Sequence, residues 1–260
     1  MDKIKLIDYT REEYCFIAKM YEKAERYEDM VIWISKLIQL QPKLSNEERN
    51  ILSAAFKHLI GGKRTSWRKL HSLERKEEKK NNSANSENLK GVREIKKKVE
   101  DEIRKVCNDM QNLLDKYLVP SSKDNENKVY YLKLKADYYR YCAEFTTGKE
   151  YEENINKADK IYKEAYEISE REIPISNSTR LGLALNFSVF YYEIRNLKNE
   201  AYEIAVRAFE EAIKILDELE RVKAKDTILI IQLIKENMIL WNNEMAEAEG
   251  EEEGGQQVDN

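Results

Sequence analysis

Breakers are scarce in this chain. Its 260 residues hold three prolines and eight glycines, and three of those glycines lie in the last sixteen positions. Between the breakers, apolar residues recur with helical spacing almost without interruption, on a background rich in Glu, Lys, Leu and Ala. This predicts long helices over residues 11–25, 27–40, 45–75, 91–118, 128–144, 150–171, 179–195, 199–220 and 226–243. Pro42, Pro120 and Pro174 fall in the gaps. The run Ser45-Asn46-Glu47-Glu48 has the form of a capping box, so the third helix starts there. Gly61 and Gly62 lie inside that helix, each costing ~1 kcal/mol relative to Ala. Close approach by another backbone is the expected reason.

Nine helices joined by short links favour antiparallel neighbours. The expected fold class is all-α, with one helical domain over residues 1–244. A polar, low-complexity loop is expected at 76–88, and an acidic disordered tail at 245–260. The paired helices resemble a 34-residue helical repeat array in architecture, but no residue pattern repeats at that period.

Charge and cysteine content narrow the function. The net charge is −4, too acidic for a general nucleic-acid binder. Cys15, Cys107 and Cys142 are far apart and show no CxxC spacing, which fits reduced thiols in a reducing compartment. The first residues, MDKIKLIDYTREE, show no secretory h-region, and no apolar run is long enough for a membrane span. The sequons at Asn81, Asn177 and Asn186 then carry no glycan.

The segment YYLKLKADYYRY, residues 130–141, is the most informative for chemistry. Lys133 and Arg140 are seven apart, on one helix face, with Asp137 between them. An arginine, an orienting carboxylate and the Tyr141 hydroxyl are the parts of an anion clamp. The cationic spacing recurs at Lys57 and Arg64, with Arg68 one turn on, within ~20° of one meridian. Surface helices often carry such charges for solubility alone. Three on one stripe, with a second basic helix available, favour a site. A phosphoserine brings a charge of about −2 and three acceptor oxygens, and an arginine fork binds two of them at once.

Two further helices carry matching features. In RLGLALNFSVFYYE, residues 180–193, Gly182, Asn186, Val189 and Glu193 share a face. Gly in a helix interior implies close approach of something, and Asn186 suits pairing with a peptide backbone. In DTILIIQLIKENMILW, residues 226–241, Leu229, Ile230, Leu233, Asn237, Leu240 and Trp241 form one stripe. Such a stripe is ordinarily core, but Asn237 within it needs a partner. This apolar wall is expected to face the basic one across a groove. Catalysis has little support. His58 and His71 lack metal-ligand partners at i+4, and no P-loop, HExxH, GxSxG or GxGxxG occurs. No catalytic residue, metal or cofactor is expected.

Together these residues resemble the 14-3-3 family. RNILSAAFKHL (49–59) is similar to its first signature and KDTILIIQLIKENMILW (225–241) to its second; LGLALNFSVFYYE and YYLKLKADYYRY also match. The resemblance spans about residues 17–241. It implies nine antiparallel helices in a curved bundle with a concave amphipathic groove, and a non-enzymatic adaptor for phosphoserine or phosphothreonine peptides. By motif, Lys57, Arg64, Arg140 and Tyr141 hold the phosphate, while Asn186 and Asn237 bond the peptide backbone. Leu185, Val189, Leu229, Ile230, Leu233 and Trp241 line the apolar wall. Lys133, Glu193, Arg68, Asp137 and Gly182 support the groove.

The family also dimerises. Arg26 and Asp29 match first-helix contacts, Lys98 and Glu102 match the residues they meet across the two-fold axis, and Ser66 matches an interface serine. The implied partners are phosphorylated proteins and a second or related chain, as homodimer or heterodimer, in the cytoplasm or nucleus. Departures from the family pattern are Ile95 where a tyrosine is usual, the longer 76–88 loop and the extended N-terminus. The competing reading is a helical-repeat-like scaffold that binds without phosphate.

Overall fold

The computed structural model describes residues 9–80, 87–221 and 224–255. Among them there are nine helices of twelve residues or more and no strand. These are α1 (Arg11–Lys23), α2 (Tyr27–Leu40), α3 (Asn46–Lys80), α4 (Glu87–Leu113), α5 (Asn125–Ala143), α6 (Gly148–Glu172), α7 (Ser178–Val189), α8 (Lys198–Ile213) and α9 (Lys225–Gly255), with a short piece at Leu216–Arg221.

Local chemistry sets most boundaries. Thr10 and Glu13 form a capping box at the start of α1. Ser45 and Glu48 do the same for α3, with Glu48 N–H donating to Ser45 Oγ at 3.3 Å and Ser45 N–H to Glu48 Oε2 at 2.7 Å. Asp124 caps α5 and Asn177 caps α7. Glu25, in the left-handed region at φ 55°, reverses the chain between α1 and α2. Helix α4 does not stop at Leu113: it widens into a π-turn at Leu114–Leu118 and closes with Val119–Ser121. The ring of Pro120 would meet the carbonyl of Lys116 in a regular α-helix, and widening the preceding turn relieves that clash.

The helices fall into two compact units, Met1–Ser122 and Lys123–Asn260. In the first, α1 pairs with α2 and α3 with α4, while α2 packs on α3. Its core is built from Met30, Ile34, Ile38, Leu52, Phe56, Ile103 and Met110, at helical spacing on their elements. In the second, α5 pairs with α6, and α7 and α8 carry α9. Tyr162, Phe187, Phe190, Ile231 and Ile234 lie at its centre.

Three expectations change. The 76–88 loop is shorter than its polarity suggested, because α3 runs to Lys80 and α4 opens at Glu87. Glu74 and Glu78 bond to Arg93 at 2.9 and 2.8 Å, zipping the two helices past the point where their apolar pattern ends. Residues 81–86 lie outside the described residues. The tail expected to be disordered from 245 is helical to Gly255. Ala246 and a run of glutamates are good helix formers, and they extend a helix already nucleated by packing; residues 256–260 are outside the described set. Finally, nothing approaches a Cβ built at Gly61 or Gly62 within 4 Å, so no neighbouring backbone explains that pair.

Candidate functional site

The second unit holds a buried ionic cluster centred on Asp137, which is 2% exposed. Lys133, one turn earlier on α5, gives its Nζ to Asp137 Oδ2 at 3.0 Å. Arg140, three residues later and 7% exposed, sends Nη2 to Asp137 Oδ1 at 3.4 Å and Nε to the Tyr162 hydroxyl at 3.3 Å. The Tyr162 hydroxyl in turn donates to Asp137. From α7, Asn186 Nδ2 lies 2.9 Å from both carboxylate oxygens. An ionised carboxylate only accepts, so the amide must turn its NH2 toward it. The Arg140 guanidinium also lies 4.7 Å from the centre of the Tyr141 ring.

Burial alone would raise the Asp137 pKa. The charges of Lys133 and Arg140 and the Tyr162 and Lys133 hydrogen bonds overcome it and hold the carboxyl below its ordinary range. Burial would lower the Arg140 pKa, but Tyr162, Tyr141 and Asp137 keep it well above the usual value. Two cations therefore share one carboxylate in a buried place, and one positive charge is left uncompensated within the cluster. That surplus can bind an anion.

An apolar wall belongs to the same unit. Along α9, Leu229 is 55% and Leu240 53% exposed, with Leu233 also exposed and Ile230 and Asn237 half-buried on that side. The core side of α9 is carried instead by Thr227, Ile231, Ile234 and Trp241. Trp241 was expected to line the wall, but it is buried. Its ring stacks on Tyr192 at 4.5 Å and 10°, which fixes α9 from behind. Leu185 and Val189 are half-buried on α7, and Glu193 is exposed in the π-turn Phe190–Ile194 that follows. At Gly182 a Cβ would lie 3.7 Å from Lys133 Cε and 3.8 Å from Ile230 Cδ1, ordinary van der Waals distances, so the expected close approach does not explain this glycine.

The first unit contributes its own cations. Lys57, Arg64 and Arg68 stand on the single helix α3 at i, i+7 and i+11; Lys57 and Arg68 are exposed and Arg64 is half-buried. The residues tied by resemblance to dimerisation are in this unit too. Arg26 pairs with Asp29 at 2.6 Å, and Glu102 with Lys63 at 2.8 Å. Lys98 is exposed, and the Ser66 hydroxyl donates to the Gly62 carbonyl at 3.1 Å. Arg26, Asp29, Lys63, Ser66 and Glu102 line one open cavity of about 530 Å³. Phe16 and Met20 on α1, Leu73 on α3 and Ile95 on α4 are exposed apolar side chains of the same unit.

Tyr162 and Tyr192 escaped the sequence reading. Each acts across a helix boundary, on residues 25 and 49 positions away, and no local spacing signals that. The histidines have structural neighbours: His58 stacks on Tyr27 and His71 on Trp67. Cys107 is buried, and burial followed by the Glu48 charge pushes the Cys15 thiol up to about 11, so it is not a nucleophile at neutral pH. Among the described residues, no group of three or more His, Cys, Asp or Glu is placed to hold a metal, and no helix is long and apolar enough to cross a membrane.

Comparison with known proteins gives a consistent result. Residues 17–242 match the family described as 14-3-3 protein. The chain is 46% identical to the 14-3-3-like protein GF14 epsilon of Arabidopsis thaliana, over 95% of each sequence. It is 44% identical to the 14-3-3 protein beta/alpha of Xenopus tropicalis over 100% of each. It is 46% identical to the 14-3-3-like protein B of Vicia faba, over 91% of this chain and 90% of that one.

Proposed function

The chain belongs to the 14-3-3 protein family, whose members are phosphopeptide-binding adaptors and not enzymes, and on that premise we propose that it clamps client proteins through a phosphorylated serine or threonine. The observation that carries this reading is the buried Asp137 cluster, in which Lys133 and Arg140 share a single carboxylate. A guanidinium held from behind by Asp137 and Tyr162 is ordered before any ligand arrives, so little entropy is lost on binding. Its charge surplus suits a phosphate dianion, and its fork geometry suits two phosphate oxygens. In this reading Arg140 and Tyr141 take the phosphate, and Lys57 and Arg64 of the first unit are assigned phosphate binding by the family resemblance alone. The Asn186 carbonyl oxygen, its NH2 being engaged by Asp137, accepts a client backbone N–H, and Asn237 bonds a second stretch of backbone. Leu229, Ile230, Leu233 and Leu240 receive the client's apolar side chains.

The second part of the proposal is a homodimer, or a heterodimer with a related chain, through the first unit. The exposed Phe16, Met20, Leu73 and Ile95 supply an apolar surface there, and Arg26, Asp29, Lys98 and Glu102 supply charges. Arg26–Asp29 and Lys63–Glu102 are already paired within one chain, so association exchanges ion pairs. Those charges then set orientation more than affinity. The protein would meet kinase products in the cytoplasm or nucleus.

The decisive measurement is fluorescence anisotropy with one phosphoserine peptide and its unphosphorylated control. Arg140→Ala should weaken phosphopeptide binding by at least tenfold while the protein keeps its helical circular dichroism. Equal binding of the unphosphorylated peptide to the native chain would sink the phosphate clamp in favour of a phosphate-independent scaffold.

A further inference from the structure

Because α3 is one unbroken helix from Asn46 to Lys80, its cationic stripe does not end at Arg68. Arg75 and Lys79 follow at i+18 and i+22 from Lys57. At 100° per residue the five cations Lys57, Arg64, Arg68, Arg75 and Lys79 stay within an arc of about 60°, along about 33 Å of helix. Arg75 and Lys79 are both exposed. The acidic residues of this stretch are turned elsewhere. Glu74 is buried against α4, bonded to Arg93 Nε at 2.9 Å and to Lys96. Glu78 bonds Arg93 Nη2 at 2.8 Å, and Glu77 accepts from Lys80 at 3.1 Å. The basic residues of α4 thus neutralise the acids of α3 on one side of the helix. Glu74 and Glu78 lie about 100° and 60° round the helix from Arg75, and no acidic residue of 57–79 falls within the cationic arc. Ser66 points about 180° from Lys57, so the stripe lies away from the surface assigned to dimerisation.

We propose that Arg75 and Lys79 form an extension of the phosphate site that takes a second anionic group on the same client, a second phosphorylated residue. This rests on the reading of Lys57 and Arg64 as phosphate ligands. Arg64 and Arg75 are eleven residues apart, or about 16 Å. An extended peptide covers that distance in about five residues. The separation is twice the Debye length of about 8 Å at physiological salt, so Arg75 and Lys79 contribute almost nothing to a lone phosphate at the first position. The extension selects clients by their second charge.

The test is fluorescence anisotropy of the full chain, and of its Arg75→Ala/Lys79→Ala variant, with three groups of peptides. One peptide carries a single phosphoserine. A second group carries another phosphoserine five residues away, on either side. A third carries it two residues away. Both substitutions are at exposed helix positions, where Ala is well tolerated. The native chain should bind one of the five-residue peptides about tenfold more tightly than the singly phosphorylated one. The variant should lose that gain and bind the singly phosphorylated peptide within about twofold of the native chain. No gain in the native chain, a gain the variant retains, or an equal gain at two residues overturns the extension and leaves the phosphate clamp standing. Failure of the native chain to bind the singly phosphorylated peptide overturns both.

Discussion

Tyr162 shows how one hydroxyl can order a charged site. Its ring is fully buried, 5.4 Å from Phe187 and 5.2 Å from Phe190, and its oxygen touches both Asp137 and Arg140. Tyr162→Phe keeps the ring and removes only the oxygen. It should cost about 1–3 kcal/mol of stability, because a buried carboxylate and a guanidinium each lose a partner. Phosphopeptide affinity should fall about tenfold as Arg140 loses one of its two anchors. Urea denaturation and peptide titration check the two effects separately. A variant that binds normally would show that Asp137 alone fixes the arginine.

Among elements, the junction of α1 with the start of α3 is set by Glu48. Burial would raise its carboxyl, but hydrogen bonds from Arg11 and Ser45, with the Arg11 charge, bring its pKa down to about 2 from an ordinary 4.5. A depressed carboxyl pKa stabilises the fold above the unfolded value. Below pH 4.5 the unfolded chain takes up its proton first, so that stability drains away between about 4.5 and 2. Discounted for the partly open Arg11, the contribution at neutral pH is roughly 2 kcal/mol. Glu48→Gln should therefore flatten the rise of melting temperature with pH across that window. Identical slopes for the two proteins would mean that Arg11 does not hold the carboxylate in solution. The same junction shows what was legible: Ser45 and Glu48 read directly as a capping box, whereas the Arg11 contact, 37 residues away, did not.

At the scale of the molecule, the proposed association runs through a cavity already rich in acid. Ser66 lines it with Glu25, Glu28, Asp29 and Glu102 against Arg26 and Lys63. Ser66→Asp adds a further negative charge and should shift the chain toward monomer by at least tenfold in dissociation constant, measured by analytical ultracentrifugation at low micromolar concentration. Raising salt should partly restore the dimer, since the added repulsion is screened. An unchanged dimer would place the interface elsewhere in the chain.

Periodicity and composition were enough for the helical class, the order of the nine helices, the capped start of α3 and the cationic spacing on α3 and α5, because each follows from interactions within a few residues. They misjudged the ends of α3, α4 and α9, where inter-helix ion pairs and strong helix formers carry the helix past its apolar pattern. They also put Trp241 on the wall, though a stripe cannot say which of its edges faces the core. Lys133, Asp137 and Arg140 were legible as one helix face, but the rest of the Asp137 cluster needed packed coordinates. Tyr162 and Asn186 reach one carboxylate from two other helices, and side chains so far apart along the chain meet only when burial of Phe187, Phe190 and Ile234 brings their helices together.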